Sequence, residues 1–266
     1  MIKALVSIEV DLASSMALRL ACQLGALVQM EIHPVYAKDS PPHEAAWGAG
    51  WASRTWQREL IEQGRAEISQ LLASEQDFCP VLGDPRIVYG DKDAELRKIM
   101  QAEKADLYLE GVHFSWTPSD IWKALHRKFY QNLGTPVILV RALRKVNEVV
   151  LLCLDTEQAD TLTRVFQSIW KSSSVPLTVA YPDEGTSGAS EAALKEAVAR
   201  GRSVLEESGC ATNVLRIPKR RPSHDVADIL SEYALVAMAL QRTVKKECAE
   251  LQWLSQIKTA SLLAFH

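Results

Sequence analysis

The side chains of this chain that could do chemistry are histidines, carboxylates and cysteines, and their spacing narrows what that chemistry is. His33, His43, His113 and His126 all fall in the first half, but no two of them stand at the spacing of a metal motif. They are read as scattered surface or partly buried imidazoles, and no metal ligand is assigned. Cys22, Cys79, Cys153, Cys210 and Cys248 are odd in number, far apart and never in C-x-x-C spacing. That pattern is read as neither a disulfide framework nor a zinc site, with a reducing compartment as the expected setting. The chain has no G-x-S-x-G, no Walker loop, no H-E-x-x-H and no paired carboxylates in an acid-base context. The expectation is therefore a protein that is not an enzyme, with no catalytic residue to name.

Two clusters suggest contact rather than catalysis. Trp47, Trp51 and Trp56 lie in or beside a long connection that also holds Gly48 and Gly50. They would make an apolar lid or partner surface, or simply anchor the loop on the core. Lys219-Arg220-Arg221 would meet an anion or an acidic partner, or form a solvated basic turn ahead of a helix starting near Ser223.

These groups must be carried by an α/β scaffold, because short aliphatic runs alternate with helical patterns along the whole chain. The spacing predicts a strand over 2–10, then a helix over 13–24 with Ala13, Met16, Ala17, Leu20 and Leu24 on one face and Gly25 as its stop. A strand at 27–36 leads into the long connection, and a helix follows with the stripe Leu60, Ile61, Gly64, Ile68, Leu71 and Leu72. Strands at 86–89, 106–110 and 136–141, with helices at 92–103 and 118–131, complete a five-strand unit. The second half repeats the order, with strands at 148–154, 175–181, 213–217, 233–239 and 259–265. Its helices are expected at 157–170, 189–208, 223–231 and 244–256.

The match between halves extends to residues. Ile8-Glu9-Val10-Asp11 answers Leu152-Cys153-Leu154-Asp155, Val35-Tyr36 answers Ala180-Tyr181, and Gly64-Arg65 answers Gly201-Arg202. Internal duplication follows, with domains at 1–143 and 144–266 joined near 142–146. In an open parallel sheet, loops beyond the carboxyl ends of the strands gather at one edge. Asp11, Tyr36, Gly90, Gly111, His113 and Trp116 should then share a rim, although helix capping accounts for Asp11, and for Asp155 in the second half, at least as well.

Composition bounds the partners. The chain has 266 residues, 47% of them hydrophobic, and a formal charge of −3. A cut near residue 143 leaves 15 basic and 18 acidic residues before it and 15 of each after it. Neither half carries the positive field of a nonspecific nucleic-acid binder. No stretch approaches the roughly 20 apolar residues of a membrane span. The opening run is too short for a signal peptide and meets Glu9 and Asp11 at once, so a cytoplasmic protein is expected.

The strand ending at Asp11, the aliphatic strand ending at Tyr36, the short strand ending at Gly90, Ala105-Asp106-Leu107 running to Gly111, and Thr135-Pro136-Val137-Ile138-Leu139-Val140-Arg141 together resemble a universal stress protein domain. The second half is similar in pattern and weaker in motif, so the whole resembles a tandem protein of that family. The resemblance implies two open parallel sheets of order 3-2-1-4-5, flanked by helices and paired through their last strands as an intramolecular pseudo-dimer. A further homodimer through an exposed face is compatible with it.

Members that bind ATP carry G-x-x-G, nine residues, then G-[S/T] after the fourth strand, where backbone amides and a helix N-terminus meet the phosphates. Here Gly111 matches the first glycine, Phe114 stands at the second, and Ala124-Leu125 stand at the final pair. The second half reads Met238-Ala239-Leu240-Gln241-Arg242-Thr243 there, without a glycine. The resemblance thus implies a noncatalytic stress-response or regulatory protein with an eroded ATP loop and no cofactor, binding a protein partner or a small ligand. Its alternative is adenine-nucleotide binding in the first domain by Asp11, Val35 and Gly111, with weak ATPase activity.

Overall fold

Runs of branched and aliphatic residues become strands because both of their faces are covered, which is the condition that favours parallel sheets. The computed structural model describes residues 1–38, 51–76, 79, 82–171, 173–183, 191–218 and 223–265. The strands are β1 (Ile2–Ser7), β2 (Met30–Lys38), β3 (Arg86–Tyr89), β4 (Leu107–Gly111), β5 (Val137–Val140), β6 (Val149–Leu152), β7 (Leu177–Pro182), β8 (Thr212–Ile217), β9 (Leu235–Leu240) and β10 (Ala260–Phe265). The helices are α1 (Leu12–Val28), α2 (Trp51–Gln76), α3 (Lys92–Glu103), α4 (Pro118–Leu125), α5 (Lys128–Gln131), α6 (Thr156–Ile169), α7 (Glu191–Glu207), α8 (Ser223–Leu230) and α9 (Ala249–Gln256).

All ten strands lie in one sheet, ordered β3-β2-β1-β4-β5-β10-β9-β6-β7-β8. Each five-strand half is parallel and has the order 3-2-1-4-5 in its own numbering. The halves meet where β5 and β10 pair antiparallel, Leu139 against Ser261. Side-chain alternation sends Val6 to one face and Leu5 to the other. The first face packs under α1, α2, α6 and α7 through Leu18, Ile68, Leu162 and Leu194. The second packs under α3, α4, α5, α8 and α9 through Leu96, Ile121, Phe129, Val226 and Leu251.

Several boundaries differ from the pattern-based expectation. Gly25 does not end α1: the helix runs through it to Val28 and closes at Gln29, which adopts φ 52° and donates its backbone N–H to the Gly25 carbonyl. Ile61 is exposed rather than part of the packed stripe of α2. The helix expected over 118–131 is broken into α4 and α5. The one expected from 244 starts only at Ala249; before it, the Val244 carbonyl accepts a bond from the indole of Trp122 in the other half. Trp47, Gly48, Gly50 and Lys219-Arg220-Arg221 lie outside the described residues.

One cysteine expectation is overturned. Cys22 on α1 and Cys79 just after α2 form a disulfide with Cα atoms 5.2 Å apart. Spacing hid it because the partners are 57 residues apart in sequence; the crossover that lays α2 against the same sheet face as α1 brings them together.

Candidate functional site

The carboxyl edge of the first half holds the expected rim, although its residues divide among different tasks. Asp11 leaves β1 in extended conformation and caps α1, its Oδ1 accepting the Ser14 N–H at 2.7 Å. Asp155 does the same for α6, accepting from the Gln158 N–H at 2.8 Å. The second oxygen of Asp11 lies 3.5 Å from Nδ1 of His113, across the point where strand order reverses between β1 and β4. Glu9 completes a trio whose metal-ligating atoms lie within 4.8 Å of one another. Histidine spacing in the sequence carried no sign of this grouping, since His113 arrives from the loop after β4. Within the trio, Glu9 also pairs with the Lys92 ammonium at the start of α3.

Gly111 stands at the end of β4, where α1 begins. A Cβ there would fall 2.3 Å from the Ala13 carbonyl carbon and 2.4 Å from its oxygen. The missing side chain therefore makes room for the first turn of α1. Val35 is fully buried in the sheet, and its carbonyl accepts the Ile8 N–H at 2.9 Å.

Beside this point lies a cavity of about 580 Å³, lined among the described residues by Glu9, Val10, Tyr36, Ala37, Lys38, Glu67 and Lys92. Glu67 on α2 organises one wall, accepting from the Tyr36 hydroxyl at 2.6 Å and from the Lys38 ammonium at 2.7 and 2.8 Å. The Lys38 bond, followed by that of Tyr36, holds the Glu67 carboxyl below its usual range. Burial, followed by the bond to Glu67, drives the Tyr36 phenol well above its own. Among the described residues the lining holds two lysines and two glutamates, whose formal charges cancel. Glu67 lies on α2 and was not singled out by pattern; its only sequence signal was its place one residue before Ile68.

The segment after β4 takes another course. Phe114 and Trp116 stack at 5.8 Å. The Trp116 indole donates to the Leu254 carbonyl at 2.7 Å, and the Arg141 guanidinium lies 5.1 Å above its ring. Trp122 donates to the Val244 carbonyl at 3.0 Å, and Arg242 reaches back to the Leu133 carbonyl at 2.8 Å. Trp116 therefore belongs to the seam between the halves. The N-terminus of α4 is capped by Thr117, whose hydroxyl also donates to the Asp120 carboxylate at 2.8 Å. A negative charge already sits in that first turn.

A buried carboxylate lies behind the rim. Glu110 on β4 accepts from the Tyr108 hydroxyl at 2.8 Å. Burial raises its carboxyl above the usual range, opposed by that bond and by Arg127, Lys92 and His113.

Among solved structures the chain shares the fold of universal stress proteins over its full length. A universal stress protein from Archaeoglobus fulgidus DSM 4304 matches with a TM-score of 0.64 at 11% identity, covering 99% of this chain and 98% of that one. A functionally unknown protein from Pseudomonas aeruginosa PAO1 matches with a TM-score of 0.55 at 16% identity, covering 99% of this chain and 92% of that one. No family model matches the chain, and no curated protein matches its sequence. Among the described residues, no helix is long and apolar enough to cross a membrane.

Proposed function

We propose that this chain, built on the universal stress protein fold, is a noncatalytic stress-response or regulatory protein that holds a small neutral or zwitterionic ligand, or a partner's side chain, in the cavity of its first half. The observation that carries this reading is the balanced wall of Glu9, Lys92, Lys38 and Glu67 around about 580 Å³. Such a wall offers alternating donors and acceptors without the excess positive charge that a triphosphate needs. The phosphate loop is read as eroded, for three concurring reasons. Phe114 and Trp116 fill and fasten the segment to the other half. Gly111 is required by Ala13. Asp120 places a carboxylate at the helix N-terminus where phosphate would lie.

Residues 1–143 and 144–266 are taken as the two domains, acting in the cytoplasm as an intramolecular pseudo-dimer whose β5 and β10 edges satisfy each other. A specific observation favours the alternative of an adenine nucleotide: Asp11 lies at the strand-order switch point, next to the cavity.

Native mass spectrometry of freshly purified protein, with ATP and adenosine added in turn, tests both readings. The proposal expects no ATP adduct. It also expects any copurified small molecule to be lost on Glu67→Gln with Lys38→Met, which together remove the ion pair of the wall. A stoichiometric ATP complex abolished by Asp11→Ala would overturn it in favour of the alternative.

A further inference from the structure

The Cys22–Cys79 bridge ties α1 to the segment that follows α2, and the chain between the two sulfurs contains all of β2 and α2. Those two elements supply Tyr36, Ala37, Lys38 and Glu67 to the cavity, whereas Glu9, Val10 and Lys92 stand outside the loop. One wall of the cavity is thus enclosed by the bridge, and the other is anchored independently of it.

We infer that this disulfide is a reversible clamp on the α2 wall of the cavity, which tightens the site when oxidised and loosens it when reduced. Its regulatory meaning rests on the reading of that cavity as the binding site. Beside the bridge, the C-terminal half of α2 is held by Ile68 in the core and by the contact between Arg19 and Glu75. The segment after it is held by backbone bonds from Leu82 to Cys79 at 3.1 Å and from Gly83 to Ile32 at 2.8 Å. Cutting the covalent tie leaves only noncovalent contacts of this kind, with the Glu67 bonds to Tyr36 and Lys38, to resist local opening.

A cellular dithiol is the required reductant. One of its thiolates attacks either sulfur, the other cysteine leaves as a thiolate, and the second thiol of the reductant resolves the mixed disulfide. Two electrons and two protons pass to the pair, which ends as two thiols while the reductant ends as its own disulfide. Cys22 is 8% exposed and Cys79 2%, so attack requires local opening around the bridge. The remaining cysteines all lie in the second half. Burial raises the thiols of Cys153 and Cys210 and pushes Cys248 up to about 11, which makes them poor partners for exchange.

The test uses the full chain, oxidised in air or treated with dithiothreitol. Alkylation after unfolding should label three cysteines before reduction and all five after it. Hydrogen exchange read by mass spectrometry should then quicken on reduction in peptides covering 60–76 by roughly tenfold or more beyond any change in α6 and α7. Cys22→Ser with Cys79→Ser should reproduce the reduced pattern, and reduction of the wild-type chain stands alone if that variant does not fold. Five labels before reduction would overturn the clamp, and so would unchanged exchange over 60–76 or a uniform acceleration in both halves. Because exchange is read without ligand, a responsive clamp around a cavity that binds nothing would sink the binding reading and leave the clamp standing.

Discussion

Gly111 separates two explanations of a glycine at the carboxyl end of β4: closeness to a phosphate, or closeness to α1. In Gly111→Ala the new Cβ meets the Ala13 carbonyl carbon at 2.3 Å, its oxygen at 2.4 Å and its Cβ at 2.7 Å. Ordinary carbon contacts begin at about 3.5 Å, so the first turn of α1 must retreat by about 1 Å. That turn carries the Asp11 cap and the buried Ser14, and backbone atoms cannot rotate away as a side-chain tip can. Overpacking of this kind costs about 3 kcal/mol, the upper end of the usual range. For a chain of this size that corresponds to a loss of about 6 to 12 °C in Tm. The assay is urea unfolding followed by circular dichroism, read as a shift in midpoint at constant slope. Gly134→Ala is the internal control: nothing lies within 4 Å of its new Cβ, and a gain of about 0.5 kcal/mol is expected from the stiffer unfolded chain. If Gly111→Ala stays within about 1 kcal/mol of the parent and instead abolishes nucleotide binding, the packing argument is refuted.

Other consequences can be measured on the same purified protein. Reduction of the bridge, which spans 57 residues, should lower global stability by about 4 kcal/mol from the released loop entropy, visible as a lower urea midpoint in dithiothreitol that Cys22→Ser no longer shows. Glu75 is 1% exposed and is held by Arg19 at 2.8 Å. Arg19→Met should therefore cost about 3 kcal/mol by stranding a buried carboxylate, and adding Glu75→Leu should restore most of the loss in a double-mutant cycle. Burial raises the Glu110 carboxyl, so its contribution is fully present below the unfolded carboxyl pKa and is lost as pH rises through the folded one. Glu110→Gln, which still accepts from Tyr108, should be more stable than the parent at neutral pH, and the difference should close as pH falls below about 4; parallel stability curves across that range would contradict the assignment.

The legible part of the fold was the part written in short-range periodicity. Strand and helix order, the two Asp caps and the echo between Ile8-Glu9-Val10-Asp11 and Leu152-Cys153-Leu154-Asp155 all rest on residues a few positions apart. Boundaries were less legible: α9 begins at Ala249 rather than 244, and Gly25 lies inside α1 rather than at its end. The site was less legible. Asp11 and Tyr36 were placed on the rim from strand ends alone, but Trp116 faces the seam with the other half, and Val35 is enclosed in the sheet.

What the sequence by itself determined is a duplicated α/β chain, because hydrophobic periods of two and of three to four select strand and helix locally and repeat in the same order. Tertiary structure alone decided which residues meet. The Cys22–Cys79 bridge closes 57 positions, the hydroxyl of Tyr36 reaches Glu67 across 31, and the indole of Trp116 reaches Leu254 across 138. Each of these contacts is set by a crossover or by the junction of β5 with β10, and no local pattern encodes the distance between elements that only the folded sheet brings side by side.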